Sequence, residues 1–203
     1  MTVNVALTIA GSDSGGGAGI QADLKTFQEL GVFGTSALTA ITAQNTQGVH
    51  GVYPVSVEGV IAQVRAVRND FDVKACKTGM LFSAEIITAI ATTLKEYPLI
   101  PLVIDPVMIA KGGQSLLQEE AIQAMKDYLI PMAAIVTPNI PEAEVLTGMK
   151  IVTDEDIQQA AEIIIGLGAQ AVIMKGGHRN DVLEAKDYFV DCDGQSFTMT
   201  TPW

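Results

Sequence analysis

Six short apolar runs in this 203-residue sequence are each followed by polar residues or glycines that could bind a ligand. Carboxylate, carboxamide and ammonium groups at such positions can hold a polar small molecule, a divalent cation or a phosphate. A single stretch of this kind is common at a turn or helix cap, but six together favour a ligand site. The stretches are 11–13, 44–46, 77–80, 105–107, 137–139 and 175–177.

Four residues in or beside these stretches could hold a metal ion and phosphates. Asp105 follows an apolar run, where a carboxylate is costly unless magnesium or a phosphate-bound water is its partner. Asn139 and Glu142 are three residues apart at the start of a predicted helix, so they can either hold hydrated magnesium or form a capping box. Lys175, with two glycines after it, is either a ligand of nucleotide phosphate or a surface lysine before a turn.

The Gly-rich segment 14–19, with Ala22, satisfies the loose dinucleotide pattern G-x-G-x-x-G/A. An NAD site also needs an acidic residue at the end of the second strand, where this sequence has Gln44. A Walker A loop is also absent, because Lys25 lacks the preceding glycine. We therefore expect a backbone that approaches a small molecule closely, with amides at a helix N-terminus facing it.

The histidines and cysteines point to no further chemistry. His50 and His178 lie far apart, and no G-x-S-x-G or H-E-x-x-H motif supports a hydrolase or a zinc enzyme. Cys76 and Cys192 have no C-x-x-C spacing, which is typical of a reducing compartment and excludes a disulfide scaffold.

The elements that must position these residues follow from hydrophobic periodicity. Strands are predicted over 5–10, 36–43, 73–78, 102–104, 134–136 and 171–174. Helices are predicted over 18–30, 57–68, 84–96, 119–129, 141–147 and 154–167, and a hairpin over 186–200. Apolar strands that alternate with helices predict one three-layer α/β/α domain over residues 1–203, with a mostly parallel central sheet. Ligands bind at the carboxyl ends of the strands in such sheets.

Composition excludes several classes of protein. Apolar residues make up 48% and charged residues 17% of the sequence, so the chain can bury a large core. The net charge is −11 without a Lys/Arg cluster, which disfavours nucleic acid as a partner. No apolar run reaches the ~18 residues of a membrane span, and the N-terminus lacks a cationic leader. We therefore expect a cytoplasmic protein with no membrane partner.

Motifs along the chain resemble, in order from Val5 onward, the hydroxymethylpyrimidine and phosphomethylpyrimidine kinases of thiamine biosynthesis, which belong to the ribokinase-like superfamily. The chain opens with LTIAGSDS at 7–14 and GAGIQADLKT at 17–26. The later motifs are TAITAQNT at 39–46, KTGML at 77–81, VIDPVM at 103–108, TPN at 137–139 with Glu142, and KGGH at 175–178.

This resemblance implies ATP-dependent phosphorylation of a hydroxymethylpyrimidine and then of its monophosphate, with ATP and Mg²⁺ required and a homodimer as the common state. It implies that Gln44 hydrogen-bonds the amino group and a ring nitrogen of the pyrimidine, as a carboxamide can. The residues implied to line the same pocket are Gly11, Asp23, Met80 and Val107. Those implied to bind ATP are Thr137, Asn139, Lys175 and Gly177, and those implied to face magnesium are Asp105 and Glu142.

One departure from the family concerns catalysis. Family members continue into a Gly-Thr-Gly-Cys loop that forms the anion hole and carries the proposed base, whereas this sequence ends at Trp203 before such a loop. Neither Cys76 nor Cys192 has a matching context, so no catalytic residue is assigned. Each missing anion-hole donor typically costs ~3–4 kcal/mol of barrier, so we expect a truncated chain that binds substrate but turns over slowly or not at all. The alternatives are a pyridoxal or pyridoxine kinase of the same fold and a non-catalytic remnant.

Overall fold

A computed structural model describes residues 3–98, 100–108, 119–176 and 184–202. The strands within these ranges are β1 (Val5–Asp13), β2 (Phe33–Asn45), β3 (Gly48–Pro54), β4 (Val73–Thr78), β5 (Leu102–Ile104), β6 (Ile135–Val136), β7 (Ala171–Met174), β8 (Glu184–Asp191) and β9 (Ser196–Pro202). The α-helices are α1 (Gly19–Glu29), α2 (Val57–Asp70), α3 (Ala84–Leu94), α4 (Glu119–Ala124), α5 (Ile140–Thr147) and α6 (Asp154–Gly166).

The strands form one sheet in the order β3-β2-β1-β4-β5-β6-β7-β8-β9. The six strands from β2 to β7 in that order are mutually parallel, and β3, β8 and β9 are antiparallel to their neighbours. The predicted mostly parallel sheet and the C-terminal hairpin are therefore confirmed. Strand β1 lies between β2 and β4, so the direction of chain progression across the sheet reverses at β1. Ligands bind at such a switch point in open α/β sheets.

Alternation along the strands places different helices on the two faces of the sheet. On one face, Thr8 of β1 contacts Asp23 of α1. On the other face, Leu7 and Ile9 of β1 are fully buried in one cluster with Val60 and Val64 of α2. Burial of each large aliphatic side chain contributes roughly 1.5–3 kcal/mol. The three-layer α/β/α architecture is confirmed by this arrangement.

Burial along one face and an N-terminal cap define the helices, as α3 illustrates. In α3, Ile86, Ile87 and Ile90 are buried at helical spacing, and the N-cap Ser83 accepts a hydrogen bond from the amide of Ile86. No helix in the described part of the chain is long and apolar enough to cross a membrane.

The first two strands are longer than predicted. β1 continues through residues 11–13, where Asp13 lies opposite Thr42 of β2, and β2 continues to Asn45. The first polar stretch therefore belongs to a strand instead of following one. Its glycine and polar side chains break the apolar run that marks a buried strand, although the backbone remains in the ladder.

Two further elements differ from the predictions. No pattern predicted β3, because Gly48 and Gly51 interrupt its apolar residues, and glycine weakens the signal of a strand. The helix predicted over 119–129 is α-helical only to Ala124 and continues as a π-helical turn over Met125–Leu129. Hydrophobic periodicity does not distinguish these two helix types over one turn.

Candidate functional site

A cavity of about 340 Å³ lies at the carboxyl ends of β1, β2, β4 and β5, beside the first turns of α1. The structure brings all five residues expected to contact substrate to its wall, together with Asp105. They come from four strand ends and one helix, so the parallel sheet unites residues that are up to 96 positions apart in sequence. The five are Gly11, Asp23, Gln44, Met80 and Val107.

An apolar patch in the cavity forms where Met80 lies over Gly11. A Cβ at Gly11 would be only 2.5 Å from the terminal methyl carbon of Met80, so the absence of a side chain leaves the space that the methionine occupies. The backbone carbonyl of Met80 accepts a hydrogen bond from Thr39 Oγ1 at 2.6 Å, which fixes the turn after β4. The result is an apolar surface against which a ring can pack.

A polar group on the cavity wall combines Asp23 of α1 with Lys77 of β4. Lys77 Nζ lies 3.0 and 2.9 Å from the two carboxylate oxygens, and Thr8 Oγ1 donates to Asp23 Oδ2 at 2.6 Å. The Lys77 and Asp23 side chains are only 21% and 18% exposed. Sequence reasoning noted the stretch around Lys77 but did not assign the lysine to the site. The available signal was a lysine that directly follows the apolar Ala75 and Cys76 on a central strand, because a charge in such a place requires a partner.

The Gly-rich turn after β1 is closed by Asp13. Its carboxylate accepts hydrogen bonds from the amides of Gly15, Gly17 and Ala18 at 2.8–2.9 Å, and its backbone carbonyl accepts one from Gly16. Four amides of the Gly-rich segment are therefore bonded within the chain, and the expectation that helix N-terminal amides face a ligand stays a prediction. Asp13 is 5% exposed, and its carboxylate supplies the acceptor oxygens of this turn.

A second polar cluster lies where β5 and β7 end and α5 begins. Lys175 Nζ donates to Asp105 Oδ1 at 2.7 Å, and an isolated β-bridge pairs the backbones of Lys175 and Asn139. Thr137, at the end of β6, donates its amide to the carbonyl of Ile104. Three of the residues expected to bind ATP are thus adjacent at this edge. Gly177, the fourth, lies outside the described residues.

Asn139 and Glu142 form the capping box of α5. The Asn139 amide donates to Glu142 Oε2 and the Glu142 amide donates to Asn139 Oδ1, both at 2.9 Å. The capping interpretation is confirmed, and a role for either residue toward magnesium or ATP stays a prediction. Glu142 is only 4% exposed. Burial raises the pKa of this carboxyl to about 6, against the opposing effects of the Asn139 amide and the Lys175 ammonium.

Replacing Glu142 with glutamine is expected to change the pH dependence of stability. The folded pKa lies above the unfolded value of 4.5, so ionisation of Glu142 disfavours the folded state as the pH rises through about 6. Glutamine keeps an oxygen for the capping bond. The free energy of unfolding of the wild type, relative to Glu142→Gln, should fall by about 2 kcal/mol between pH 4 and 7 in urea denaturation.

Glu144→Gln in the same helix is the control for this prediction. Hydrogen bonds from the Ile151 amide and the Lys150 side chain lower the pKa of Glu144. The wild type should therefore gain stability relative to Glu144→Gln as the pH rises, which is the opposite slope. A difference for Glu142→Gln that stays flat across this range would contradict the buried, ionisable state of Glu142.

The residues at this edge could hold magnesium only together with oxygen ligands from a substrate. In the described residues no group of three or more His, Cys, Asp or Glu could hold a metal ion. Asp105 and Glu142 do belong to one cluster, since the charge of Asp105 helps to raise the pKa of Glu142. Mg²⁺ is commonly bound by one or two carboxylates together with substrate phosphates. The two carboxylates of this cluster match that mode of binding.

The two thiols should differ sharply in reactivity. Burial raises the pKa of the Cys76 thiol to about 12, whereas Cys192 is exposed. The thiolate is the reactive form, so Cys76 should be inert in the folded protein. We expect a chromogenic disulfide reagent at pH 8 to titrate one thiol rapidly and the second only after denaturation. Rapid reaction of both would show that the core around Cys76 opens.

Comparison with known proteins gives consistent matches. A family described as phosphomethylpyrimidine kinase matches residues 13–203. A hydroxymethylpyrimidine/phosphomethylpyrimidine kinase of Haemophilus influenzae is 56% identical over 202 residues, which are 98% of this chain and 75% of that protein.

Two solved structures are similar over the whole sheet. The crystal structure of phosphomethylpyrimidine kinase from Clostridium difficile aligns with a TM-score of 0.89 and 48% identity, covering 98% of this chain and 84% of that one. Pyridoxal kinase from Staphylococcus aureus, in complex with AMP-PCP and pyridoxal, aligns with a TM-score of 0.89 and 38% identity. That alignment covers 100% of this chain and 72% of the pyridoxal kinase.

Proposed function

Because the chain belongs to the phosphomethylpyrimidine kinase family, we propose that it phosphorylates hydroxymethylpyrimidine and then the resulting monophosphate, using ATP, in thiamine biosynthesis. The observation that carries this proposal is the cavity at the switch point of the sheet. At one edge of the sheet, the cavity combines the carboxamide of Gln44, the apolar patch at Met80 and the carboxylate of Asp105. A substituted aminopyrimidine requires these three kinds of contact.

Gln44 is the proposed recognition residue for the pyrimidine edge. Its carboxamide oxygen lies 3.2 Å from Thr42 Oγ1, whose hydroxyl also donates to the Ser12 carbonyl at 2.8 Å. An amide oxygen has a second lone pair, which can accept from the amino group of the pyrimidine, and the amide nitrogen can donate to a ring nitrogen. One side chain can thus satisfy both a donor and an acceptor on the same edge of the ring.

The rest of the cavity is proposed to hold the ring and direct the hydroxymethyl group. Gly11, Met80 and Val107 supply apolar surface for the ring faces, and Asp23 supplies a carboxylate held in place by Lys77. Asp105 also lines the cavity, so the acceptor oxygen can lie close to the Asp105–Lys175 pair. Holding the acceptor in one orientation is a main contribution of a kinase to phosphoryl transfer.

ATP is proposed to bind at the adjoining edge, where Thr137, Asn139 and Lys175 lie. The Lys175 ammonium can stabilise phosphate charge, because Asp105 already holds it at the end of β7. Asp105 and Glu142 would hold Mg²⁺, which when bound neutralises charge on the phosphoryl oxygens. Gly177 is included among the proposed ATP-binding residues by resemblance alone.

Three further properties are part of the proposal. One nine-stranded sheet links the described residues from both ends of the chain, which supports a single catalytic domain over residues 1–203. Family resemblance supports a homodimer and a cytoplasmic location. Sedimentation velocity at two protein concentrations would test the dimer, with a species near twice the 21.4 kDa chain mass as the expected result.

Calorimetric titration with hydroxymethylpyrimidine and, separately, pyridoxal tests the substrate assignment. We expect the pyrimidine to bind at least about tenfold more tightly, and Gln44→Ala to weaken its binding roughly 10–100-fold, since a lost paired contact leaves polar ligand groups unsatisfied. Gln47→Ala, on the exposed loop nearby, is the control and should bind as the wild type does.

Magnesium-dependent ADP release with each substrate completes this test. Release with the pyrimidine is the result expected of a pyrimidine kinase. Tighter binding of pyridoxal, with Gln44→Ala unaffected and ADP released only with pyridoxal, would transfer the assignment to the pyridoxal kinases. The Staphylococcus aureus structure shows that this fold also accommodates pyridoxal.

A further inference from the structure

The Ser14 hydroxyl is bonded to both backbone polar groups of Gln44. Ser14 Oγ donates to the Gln44 carbonyl at 2.7 Å and accepts from the Gln44 amide at 2.8 Å. These two residues are 30 positions apart in sequence. One side chain therefore makes the pair of hydrogen bonds that a neighbouring strand would otherwise supply.

Gln44 needs such a partner on its β1 side, because the ladder between β1 and β2 ends just before it. The last pair in register between β1 and β2 is Asp13 with Thr42, so no β1 backbone group lies opposite Gln44. On the other side of β2, the register with β3 shifts between Ala43 and Gln44. An irregularity of this kind re-aims a side chain and weakens the local pairing.

Ser14 is itself held on a rigid base. It follows Asp13, whose carboxylate binds the amides of the Gly-rich turn, and Lys25 Nζ donates to the carbonyl of Gly16 in that turn at 2.7 Å. The position of the hydroxyl is thus set by the end of β1. Ser14 fixes the backbone of Gln44, and Thr42 Oγ1 lies 3.2 Å from the oxygen of its carboxamide.

We propose that Ser14 is a positioning residue for pyrimidine recognition, acting through Gln44. It does so by fixing the Gln44 backbone, and with it the direction of the carboxamide, before the ligand enters. Ser14 does not line the cavity, so its effect on binding reaches the ligand only by way of Gln44. This inference rests on the proposed function, because it assumes that Gln44 binds the pyrimidine.

Loss of the Ser14 hydroxyl is expected to weaken ligand binding while leaving the stability of the fold nearly unchanged. Ser14 is exposed, so loss of its hydroxyl exchanges two hydrogen bonds for hydrogen bonds to water and should leave folding nearly unchanged. Gln44 would then have to be ordered by the ligand, and ordering one flexible side chain weakens binding by roughly 3–10-fold. Ser56→Ala is the opposite control. It removes the N-cap of α2, which does not line the cavity, and should lower stability without changing affinity.

A double-mutant cycle tests this role by calorimetry with hydroxymethylpyrimidine. Ser14→Ala should weaken binding roughly 3–10-fold, Ser14→Thr should remain within about twofold of the wild type, and Ser14→Ala should have no effect in a Gln44→Ala background. An equal loss in both backgrounds, or no loss in the wild-type background, would overturn the inference. Wild type that binds no pyrimidine would instead overturn the proposed function.

Amide hydrogen exchange measured by NMR gives a ligand-free readout of the same contact. The Gln44 amide should be protected in the wild type and in Ser14→Thr, and should exchange at least tenfold faster in Ser14→Ala. Unchanged protection in Ser14→Ala would show that Ser14 does not hold this backbone, whatever the binding data show.

Discussion

Gly19→Ala is expected to destabilise the fold by roughly 3–5 kcal/mol, the largest effect of any single substitution considered for this chain. Gly19 begins α1 with φ of +56°, a conformation that costs an L-residue roughly 1–2 kcal/mol. A Cβ there would also lie 2.2 Å from the backbone carbonyl oxygen of Gly11. Because that oxygen belongs to a central strand, it cannot move aside as a flexible side chain would. Urea denaturation measures the loss directly.

Gly31→Ala separates the two causes. Gly31 has a similar φ of +71°, but a Cβ there would meet nothing within 4 Å. Its substitution should cost only the conformational part, roughly 1–2 kcal/mol. Equal losses for Gly19→Ala and Gly31→Ala would show that the close approach of α1 to β1 contributes nothing. Gly11 and Gly19 both line the cavity, so a shift of α1 in Gly19→Ala should also weaken pyrimidine binding.

Lys77→Met should cost roughly 2–3 kcal/mol of stability, because it leaves the Asp23 carboxylate partly buried without its cation. Removing one partner of a fully buried pair typically costs about 3–5 kcal/mol, and the partial exposure of this pair reduces that figure. Thr8 would still donate to Asp23, which is too weak a contact to replace an ammonium. Denaturation at pH 7 with matched protein concentrations provides the measurement.

Two variants control for the loss of a lysine as such. Lys74, on the same strand, pairs with Asp72 where the two side chains are 56% and 82% exposed, so Lys74→Met should cost less than about 1 kcal/mol. Adding Asp23→Asn to Lys77→Met removes the unpaired charge and should recover part of the lost stability. If Lys74→Met and Lys77→Met were equally costly, the Asp23–Lys77 pair would be no more than a surface ion pair.

The regular part of the fold could be predicted from the sequence because its strands are buried on both faces. Continuous apolar runs such as 102–104 and 171–174 are unambiguous when helices alternate with them, and both strands begin and end as predicted. The edge strand β3 could not be predicted in this way. Its Gly48 and Gly51 remove the apolar signal, and its strand conformation comes from pairing with β2.

The cavity was predictable in its members but not in its internal bonds. The resemblance pointed to Gln44 and Met80, which do line the cavity. The contacts of Lys77 with Asp23, and of Ser14 with Gln44, join residues 54 and 30 positions apart. No local pattern specifies which distant partner a polar side chain meets, because the strand order of the sheet decides it.

The bonds from Asp13 to the Gly-rich turn bear on the thermodynamics of ligand entry. Four consecutive amides in residues 15–18 are already bonded to one residue before any ligand arrives. Ordering a free backbone costs roughly 1–2 kcal/mol per residue. For these residues that cost belongs to folding and not to ligand binding. Ordering of this turn should therefore add no separate kinetic phase to association, and the heat-capacity change should follow the surface that protein and ligand bury together. The part of the cavity wall at Ala18 is therefore ordered before the ligand enters.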